Sequence, residues 1–320
     1  MIKYAIIGAG WRSEFYLRIA NLLPNTLSVS GIYIRNSEKR LEFSKKYNVP
    51  IFDNLDDLLN TDFDFIVSCV NRDSICDTAQ MLADKGIYVL TETPVSRENL
   101  NGKIQVAEQF HFMPRFQAYK SIIDSGILGE ISQVQLSCCH DYHAASLIRF
   151  LLDTKHEIPK RTTIKLQDTS TRYNSRAGFI DPTAVTAEQN ITVLEFENKT
   201  AVYDFNFEQY FSDIRASRVV IRGTNGEIVN NKCTYLIDGV PHKFKIMRNC
   251  IGAEENLDGF ALNNITANGK VLYKNPFKYA RLSDEEIAIA TCLIKMQDYV
   301  QNDIEFYSAQ DAYIDYKILL

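Results

Sequence analysis

Apolar residues fill the first stretch of the chain and then give way to a helical spacing. Five of the six residues over 2–7 are apolar, and glycines follow at positions 8 and 10. The next apolar side chains recur three and four residues apart and would share one helix face. They are Phe15, Ile19 and Leu22, with Pro24 as the stop. The pattern predicts a strand, a tight glycine turn and a helix.

The same alternation of short apolar runs and helical patterns continues to residue 91. It predicts strands over 27–34, 49–52, 63–70 and 87–91. The intervening helices are predicted over 38–47 and 54–59, and from a cap at Asp73 to Lys85, where Gly86 ends the third. Alternating strands and helices indicate a parallel, doubly wound sheet with helices on both faces.

The pattern changes after residue 91. A sixth strand is predicted over 103–108, and only residues 95–102 precede it, too few for a full crossover helix. Helices over 114–125 and 144–152 flank a strand over 131–139, and β-rich segments follow at 191–197, 200–207 and 217–222. Helices are expected over 285–300 and 311–320. We therefore predict an α/β chain: a Rossmann domain over 1–115, and an α+β domain over 116–320 with a large, mostly antiparallel open sheet.

The glycine turn is a candidate phosphate site. Gly8 permits a sharp turn, and Gly10 lacks the Cβ that would block a phosphate. Ser13 takes the third position of the G-x-G-x-x-G pattern. Backbone N–H groups at Trp11 and Arg12, together with the helix dipole, suit a pyrophosphate. The plainer alternative is a glycine turn in some other α/β protein.

The end of the second predicted strand bears on the coenzyme. An acidic residue usually binds the ribose of NAD there, but the sequence offers Arg35 and Asn36. Because a guanidinium pairs well with a phosphate, Arg35 favours NADP over NAD. The alternative is a solvated loop arginine. Strand ends should also bring Asn71, Glu92 and Thr93 to the same cleft.

Composition narrows the functional classes. The 320 residues carry a net charge of −5, and the pI of about 5.6 argues against a nucleic-acid surface. No apolar run is long enough to span a membrane, and the N-terminal run does not read as a signal peptide. Seven scattered cysteines without a Cys-x-x-Cys pair indicate reduced thiols. A cytoplasmic protein is the expectation.

The chain resembles the Gfo/Idh/MocA oxidoreductase family over most of its length. The motifs that carry the resemblance are Gly-Ala-Gly-Trp-Arg (8–12), Asn71, Glu92-Thr93-Pro94, Phe-His-Phe-Met-Pro (110–114), Ser-Gly-Ile-Leu-Gly-Glu-Ile (125–131), and His143 followed by Leu-Ile-Arg-Phe-Leu-Leu (147–152). The resemblance implies coenzyme contacts at Glu92 and Pro94. It also implies NAD or NADP, a sugar-like small-molecule substrate, and a homodimer or homotetramer formed through the C-terminal sheet.

The departures from the family pattern concern catalysis. The lysine of the family's Glu-Lys-Pro motif is Thr93 here. Where the family has Asp-x-Gly-x-His, the chain keeps His143 but has Cys139 in place of the aspartate. The helix that the family carries after Glu-Lys-Pro is largely missing, in agreement with the short spacing noted above.

Hydride transfer needs alignment and one group that exchanges the hydroxyl proton. A histidine titrates near neutrality, so His143 is the candidate, with Asp141 or His140 as orienter and Thr93 as a hydrogen-bond donor. The alternative for His143 is a structural buried histidine. A metal site in the Cys138–His143 cluster is disfavoured, because neighbouring strand residues face opposite ways.

Three functional classes remain open. The first and favoured one is an NAD(P)-dependent dehydrogenase or reductase. The second is a coenzyme-binding sensor without catalysis, which the loss of lysine at Thr93 supports. The third is a hydrolase on a similar scaffold, supported only by the histidine and aspartate cluster.

Overall fold

The computed structural model describes residues 1–251, 261–277 and 279–320, which form two compact units. The first unit comprises Met1–Pro114, Asn249–Asn263 and Asn275–Tyr316. The second comprises Arg115–Arg248, Asn264–Lys274 and Lys317–Leu320. The division into domains over 1–115 and 116–320 stays a prediction. In the structure the first segment of the first unit ends at Pro114, and two segments after residue 248 also belong to that unit.

The first unit is built on a six-stranded parallel sheet in the order β3-β2-β1-β4-β5-β6. Its strands are β1 (Ile2–Ile7), β2 (Leu27–Tyr33), β3 (Ile51–Phe52), β4 (Phe65–Ser68), β5 (Val89–Thr91) and β6 (Ile104–Val106). β1 and β4 are almost wholly buried, as central parallel strands covered on both faces should be. The predicted doubly wound sheet is confirmed.

Four helices alternate with these strands: α1 (Trp11–Leu22), α2 (Ser37–Lys46), α3 (Leu55–Leu59) and α4 (Ile75–Asp84). The side chains of Asn36 and Asn54 cap α2 and α3 by accepting backbone N–H groups. The expected cap at Asp73 is wrong. That residue lies inside a 3₁₀ turn, Arg72–Ser74, which precedes α4. The N-cap of α4 is Ser74, so the helix proper begins one residue later than predicted.

The connection from β5 to β6 is unusual for parallel strands. Residues 92–103, all of them described, contain no helix, although β5 and β6 pair in parallel from Val89 with Ile104 to Thr91 with Val106. The short spacing in the sequence had indicated at most one turn. Val95 is fully buried and packs with the core between the sheet and α4, so the loop covers part of the sheet itself.

The second unit contains an eight-stranded sheet in the order β14-β13-β12-β11-β7-β10-β9-β8. Its elements, in chain order, are α5 (Pro114–Asp124), β7 (Ile131–Ser137), α6 (Asp141–Leu152), β8 (Lys160–Ser175), β9 (Gly178–Glu195), β10 (Thr200–Asn206), β11 (Arg218–Gly223), β12 (Gly226–Val229), β13 (Lys232–Ile237) and β14 (Val240–Lys245). Only the β7–β10 pair is parallel among the pairings of this sheet. The predicted, mostly antiparallel sheet is confirmed, and α6 begins three residues earlier than expected.

A three-stranded sheet in the order β15-β16-β17 follows, with β15 (Met247–Cys250), β16 (Leu262–Ala267) and β17 (Lys270–Lys274). The chain ends in α7 (Asp284–Asn302) and α8 (Ala309–Leu319). α7 starts in a capping box, in which Ser283 and Glu286 satisfy each other's backbone N–H groups.

The C-terminal segment completes the first unit. The side-chain oxygen of Gln105 on β6 accepts the backbone N–H groups of Phe306 and Tyr307, each at 2.9 Å. Tyr88, just before β5, packs edge-on against Tyr299 of α7 at 5.5 Å between ring centroids. Among the residues that the structure describes, no helix is both long enough and apolar enough to cross a membrane.

Candidate functional site

A cavity of about 690 Å³ opens at the carboxyl ends of the strands of the first unit. Open α/β sheets place their ligands at this edge. Its lining comes from the β1–α1 turn, the end of β2 with the start of α2, the end of β4, and α4. The lining residues are Ile7, Gly8, Ala9, Gly10, Trp11, Glu14, Tyr33, Ile34, Arg35, Asn36, Lys39, Leu55, Cys69, Val70, Asn71, Ser74, Thr78 and Met81.

The β1–α1 turn has the geometry of an anion cradle. Gly8 has φ +108°, and a Cβ there would lie 2.3 Å from the carbonyl oxygen of Cys69, so only glycine fits. A Cβ at Gly10 would meet protein only at 4.0 Å, which leaves open space on the cavity side. Gly10 is the N-cap of α1, so the first N–H groups of that helix point out of its N-terminal end. The arrangement suits a phosphate group at the helix N-terminus.

Ser13 supports the turn from within. Its side chain is fully buried, and its Oγ donates to the carbonyl oxygen of Gly10 at 2.6 Å. Trp11, by contrast, is 44% exposed and packs edge-on against Phe15 at 4.7 Å between ring centroids. The indole therefore lies at the cavity wall, where a bound ligand would change its surroundings.

The end of β2 places two cations beside the cavity. Arg35 and Lys39 both line it and both are exposed, one turn apart at the start of α2. Asn36 also lines it, and its side chain is engaged as the cap of α2, accepting the N–H of Lys39 at 2.9 Å. Sequence reasoning identified Arg35 and missed Lys39. The predicted helix cap at Asn36, three residues before Lys39, could have placed Lys39 in the first turn of the helix beside the cavity.

Arg12 and Glu92 belong to a partly buried ion cluster and are not part of the cavity wall. The Arg12 guanidinium lies 2.8 Å from Glu285 of α7 and, through Nε, 3.6 Å from Oε2 of Glu92. The other oxygen of Glu92 accepts the hydroxyl of Tyr16 at 2.6 Å. Tyr16 is fully buried and in turn receives the hydroxyl of Tyr4 on its carbonyl oxygen.

Burial dominates the electrostatics of this cluster. Although burial alone would lower it, the neighbouring Glu92 and Glu285 carboxylates raise the pKa of Arg12 above its usual range. Burial raises the pKa of Glu92 and raises the pKa of Glu108 to about 8. Burial likewise raises the pKa of the Cys69 thiol at the end of β4. The Arg12 guanidinium thus lies between the carboxylates of Glu92 and Glu285.

The predicted coenzyme residues therefore divide into two groups. Gly8, Gly10, Trp11, Arg35, Asn36 and Asn71 are brought together around the cavity. Of the residues that the structure describes, the lining set does not include Arg12, Ser13, Glu92 or Pro94. Sequence reasoning did not find Glu14, Ser74, Thr78 or Met81 in the wall, because helix residues that point towards a ligand look like ordinary surface or core positions.

The three predicted catalytic residues lie in different units. Thr93 is half-buried, follows β5 in the first unit and is joined to Pro94 by a cis peptide bond. Asp141 and His143 belong to the first turn of α6 in the second unit. Asp141 has φ +40°, and its backbone N–H donates to the hydroxyl of Tyr203 at 3.0 Å, which fixes the start of the helix.

His143 is 5% exposed and packs within a group of rings. Its ring centroid lies 4.5 Å from that of Tyr142 and 5.0 Å from that of His140. The ring nitrogens of His140 lie 2.9 Å from the hydroxyl oxygen of Tyr210 and 3.3 Å from that of Tyr142. His140 is only partly buried. Tyr210 was not predicted, because nothing local in the sequence links it to a histidine 70 residues earlier.

Within the described part of the chain, no group of three or more His, Cys, Asp and Glu side chains is arranged to hold a metal ion. All seven cysteines lie in that part, and none of them forms a disulfide.

Comparison with known proteins now adds to this geometry. Residues 2–120 match the family model described as "Oxidoreductase family, NAD-binding Rossmann fold". No curated protein matches the sequence of the chain.

Solved structures match over nearly the whole length. An oxidoreductase from Agrobacterium radiobacter in complex with NAD⁺, L-tartaric acid and magnesium is 14% identical, with a TM-score of 0.64 over 99% of this chain and 94% of that one. Myo-inositol dehydrogenase from Lactobacillus casei, in complex with NAD(H) and myo-inositol, is 14% identical, with a TM-score of 0.62 over 99% and 92%. A protein of gentamicin A biosynthesis in complex with NAD is 16% identical, with a TM-score of 0.62 over 99% and 91%. At these identities the likeness shows the fold.

Proposed function

Because residues 2–120 belong to the Gfo/Idh/MocA oxidoreductase family, we propose that the chain is an NAD(P)-dependent dehydrogenase or reductase of a sugar, a polyol or a related carbonyl compound. The observation that carries the proposal is the Gly8–Gly10 turn. It leaves backbone N–H groups facing a cavity of about 690 Å³ at the carboxyl edge of a parallel sheet.

The residues around the cavity fit a dinucleotide. A pyrophosphate would lie against the N-terminus of α1, where partial positive charge and open space coincide at Gly10. A bound nicotinamide would supply or accept the hydride. The chain's own groups bind and orient that coenzyme: the glycine turn, the Asn71 side chain after β4, and the wall of α4.

The coenzyme preference is assigned to NADP. Arg35 and Lys39 line the cavity at the end of β2, where the ribose of a dinucleotide is usually held, and the described lining has no carboxylate at that point. Glu14, the acidic residue in the lining, is engaged with Lys46 and with the hydroxyl of Tyr47. Two cations favour an additional phosphate over a bare 2′-hydroxyl.

His143 is assigned as the group that exchanges the substrate hydroxyl proton, with Asp141 beside it in the first turn of α6. Thr93 keeps its assignment as a hydrogen-bond donor. The rings of His140 and Tyr142 pack against His143, and this packing supports the proposal because proton transfer needs an aligned side chain.

The second candidate function is a coenzyme-binding sensor without turnover. The observation that favours it is Thr93 in place of lysine, because a threonine hydroxyl supplies a hydrogen bond and no positive charge. Such a protein would bind the coenzyme through the same cavity, so coenzyme binding alone does not separate the two.

Fluorescence of Trp11, the single tryptophan, tests coenzyme binding. We expect a saturable change with NADPH and with NADH, at the lower concentration for NADPH. Arg35→Ala and Lys39→Ala should each remove most of that preference. A titration without response to either coenzyme would reject both the enzyme and the sensor.

Turnover separates enzyme from sensor. A panel of sugars, cyclitols and sugar acids, followed by nicotinamide absorbance, should show a substrate. His143→Ala should abolish turnover and leave the Trp11 titration unchanged, and His140→Ala serves as the matched variant. Loss of turnover in His140→Ala alone would move the proton-transfer role to His140.

A homo-oligomer formed through the large sheet, in the cytoplasm, completes the proposal. Ile164 and Leu166 of β8 lie two residues apart, so they share a face, and both are exposed. Covering such apolar side chains favours association. Analytical ultracentrifugation of the wild type and of Ile164→Lys tests this, with a dimer or tetramer expected for the wild type only.

A further inference from the structure

The rings of His140, Phe207 and Tyr210 form what we call the aromatic corner of the second unit. Their centroids lie 5.3 Å apart for Phe207 and Tyr210, 5.7 Å for His140 and Phe207, and 5.8 Å for His140 and Tyr210. The planes stand at 82°, 60° and 84° to one another in the same order. Three rings at these angles enclose a corner rather than a stack.

Two of these rings are unusually open to solvent. Phe207 is 45% exposed and Tyr210 is 39% exposed, although both belong to a short turn packed on the sheet. Exposed aromatic rings that adjoin polar edges are the usual lining of small-molecule sites. Here the polar edges are the His140 ring nitrogens and the Tyr142 hydroxyl, 3.3 Å from one of them.

A capping box and an ion pair fix the turn that carries Phe207 and Tyr210. This 3₁₀ turn, Phe207–Tyr210, begins with a capping box in which Asn206 accepts the N–H of Glu208 at 2.9 Å. The Glu208 carboxylate is buried and accepts two hydrogen bonds from the Arg172 guanidinium, at 2.7 and 2.5 Å. Such bidentate charged pairs fix geometry as well as adding energy.

The sheet and α6 fix the remaining sides. Gln209 donates to the hydroxyl of Ser137, at the end of β7, at 3.1 Å. The hydroxyl of Tyr210 accepts the backbone N–H of His140 at 3.1 Å and lies 2.9 Å from its Nδ1, so the turn and the start of α6 are joined. Exposed rings on an immobile backbone lose little conformational entropy when a ligand binds.

From this geometry we propose that the aromatic corner is a stacking subsite for the substrate ring, and that it selects closed rings over open chains. The inference rests on the proposed function. Aromatic faces carry partial negative charge, and the C–H groups of a pyranose or cyclitol form a flat, weakly positive face that matches them. An acyclic polyol bends freely and offers no such face.

The aromatic corner lies next to the proposed proton-transfer group. His143 packs against His140 at 5.0 Å between centroids, so a ring stacked on the corner is held beside the proposed proton-transfer group. Both ring nitrogens of His140 are already engaged, so the ring hydroxyls would find their hydrogen-bond partner at the Tyr142 hydroxyl, which can both donate and accept. The corner thus orients the substrate, and it takes no part in proton transfer itself.

Saturation-transfer NMR on the full-length protein tests the subsite, with and without NADH. The probes are myo-inositol, glucose and the acyclic polyol glucitol. We expect transfer to the C–H protons of the two cyclic compounds and little to glucitol. Phe207→Ala should weaken binding of the cyclic compounds about tenfold, and Phe207→Tyr should restore it.

Tyr210→Phe separates stacking from hydrogen bonding, because it keeps the ring and removes the contacts to His140. We expect it to keep the preference for cyclic compounds. Phe179→Ala is the matched control, because Phe179 lies at the start of β9 in the same unit and is 87% exposed. It should change neither affinity nor preference.

Where turnover is measurable, Phe207→Ala should raise KM for a cyclic substrate and leave kcat nearly unchanged. Equal affinity of the wild type and Phe207→Ala for the cyclic probes would overturn the inference. So would a changed oligomeric state in Phe207→Ala with unchanged probe binding, since the corner would then contact a second copy. The NMR readout needs no coenzyme, so an unresponsive Trp11 titration would reject the proposed function without deciding the subsite.

Discussion

A single guanidinium, that of Arg12, compensates the carboxylates at the centre of the first unit. It lies between Glu92 and Glu285, and Glu92 is further held by the hydroxyl of Tyr16. Glu92 immediately precedes Thr93, so the ion cluster fixes the strand end that enters the proposed site. Arg12 therefore helps to hold the chain in place just after β5, and it does so through Glu92.

Replacing Arg12 by methionine should lower the free energy of unfolding by about 3–5 kcal/mol, because it removes the cation that compensates the buried Glu92 carboxylate. Urea unfolding followed by circular dichroism measures this. The matched control is Arg97→Met, which removes an exposed pair with Asp77 and should cost at most about 1 kcal/mol. Equal losses in both variants would mean that burial adds nothing to the Arg12 pair.

Glu108 makes stability depend on pH. Burial raises its pKa to about 8 in the folded chain, above the ordinary value of 4.5 that holds on unfolding. Between these values the folded state binds the extra proton, so stability is greatest below about pH 4.5 as far as this group is concerned, and falls as pH rises to 8. The slope from one such group is at most about 1.4 kcal/mol per pH unit.

Glu108→Gln should flatten this part of the profile and make the chain more stable than the wild type at pH 8. The glutamine oxygen can still accept the N–H of Phe110, which the carboxylate accepts at 3.1 Å. Urea unfolding at pH 5, 6, 7 and 8 measures the effect, with the exposed Glu98→Gln as control. The raised pKa of Glu92 adds a slope of the same sign, which should remain in both variants. Parallel profiles for wild type and Glu108→Gln would contradict the assignment.

At the scale of elements, the β1–α1 turn combines two requirements that mutation can separate. Gly8 is needed by the fold, because its φ is +108° and a Cβ would lie 2.3 Å from a carbonyl oxygen. Gly10 has φ −82° and room for a Cβ on the protein side, so the fold does not need it. The lack of a side chain at Gly10 therefore matters only for the binding of a ligand at the N-terminus of α1.

Gly8→Ala should cost about 2 kcal/mol or more in stability and weaken coenzyme binding with it. Gly10→Ala should change stability by less than about 1 kcal/mol and still weaken coenzyme binding at least tenfold. Thermal unfolding and the Trp11 titration measure the two effects on the same samples. Normal coenzyme affinity in Gly10→Ala would remove the phosphate from this turn.

The β1–α1 turn could be predicted because its signal is local: an apolar strand, two glycines and a helical spacing within 22 residues. The hairpin of β8 and β9 could be predicted only at its end, where the segment 191–197 overlaps β9. The first eight residues of β8 are exposed, so they lack the alternation that marks a half-buried strand, and Pro182 within β9 argues against a strand there. Arg12 illustrates the limit for sites, since its partner Glu285 is 273 residues away. The sequence shows the charged Arg12 but does not show which distant carboxylate pairs with it.

At the scale of the whole molecule, the chain returns to its first unit after building most of the second. All six parallel strands lie within the first 106 residues, yet the unit also includes Asn249–Asn263 and Asn275–Tyr316. α7 supplies Glu285 to Arg12 and Glu286 to Arg18, and the segment before α8 supplies the N–H groups bound by Gln105. The N-terminal part of the chain therefore contains every strand of the Rossmann sheet, but the packing of this unit also needs the C-terminal segment.

Truncation after residue 282 should abolish cooperative unfolding of the first unit, although every parallel strand remains. Removal of α7 exposes the apolar side chains that it buries and leaves Arg12 without Glu285. Near-ultraviolet circular dichroism and the Trp11 titration of the truncated chain measure the loss. The control replaces the cap Ser283 by alanine in the full chain, which should cost only about 1 kcal/mol and keep coenzyme binding. A truncated chain that still bound NADPH saturably would show that the coenzyme site forms without α7 and α8.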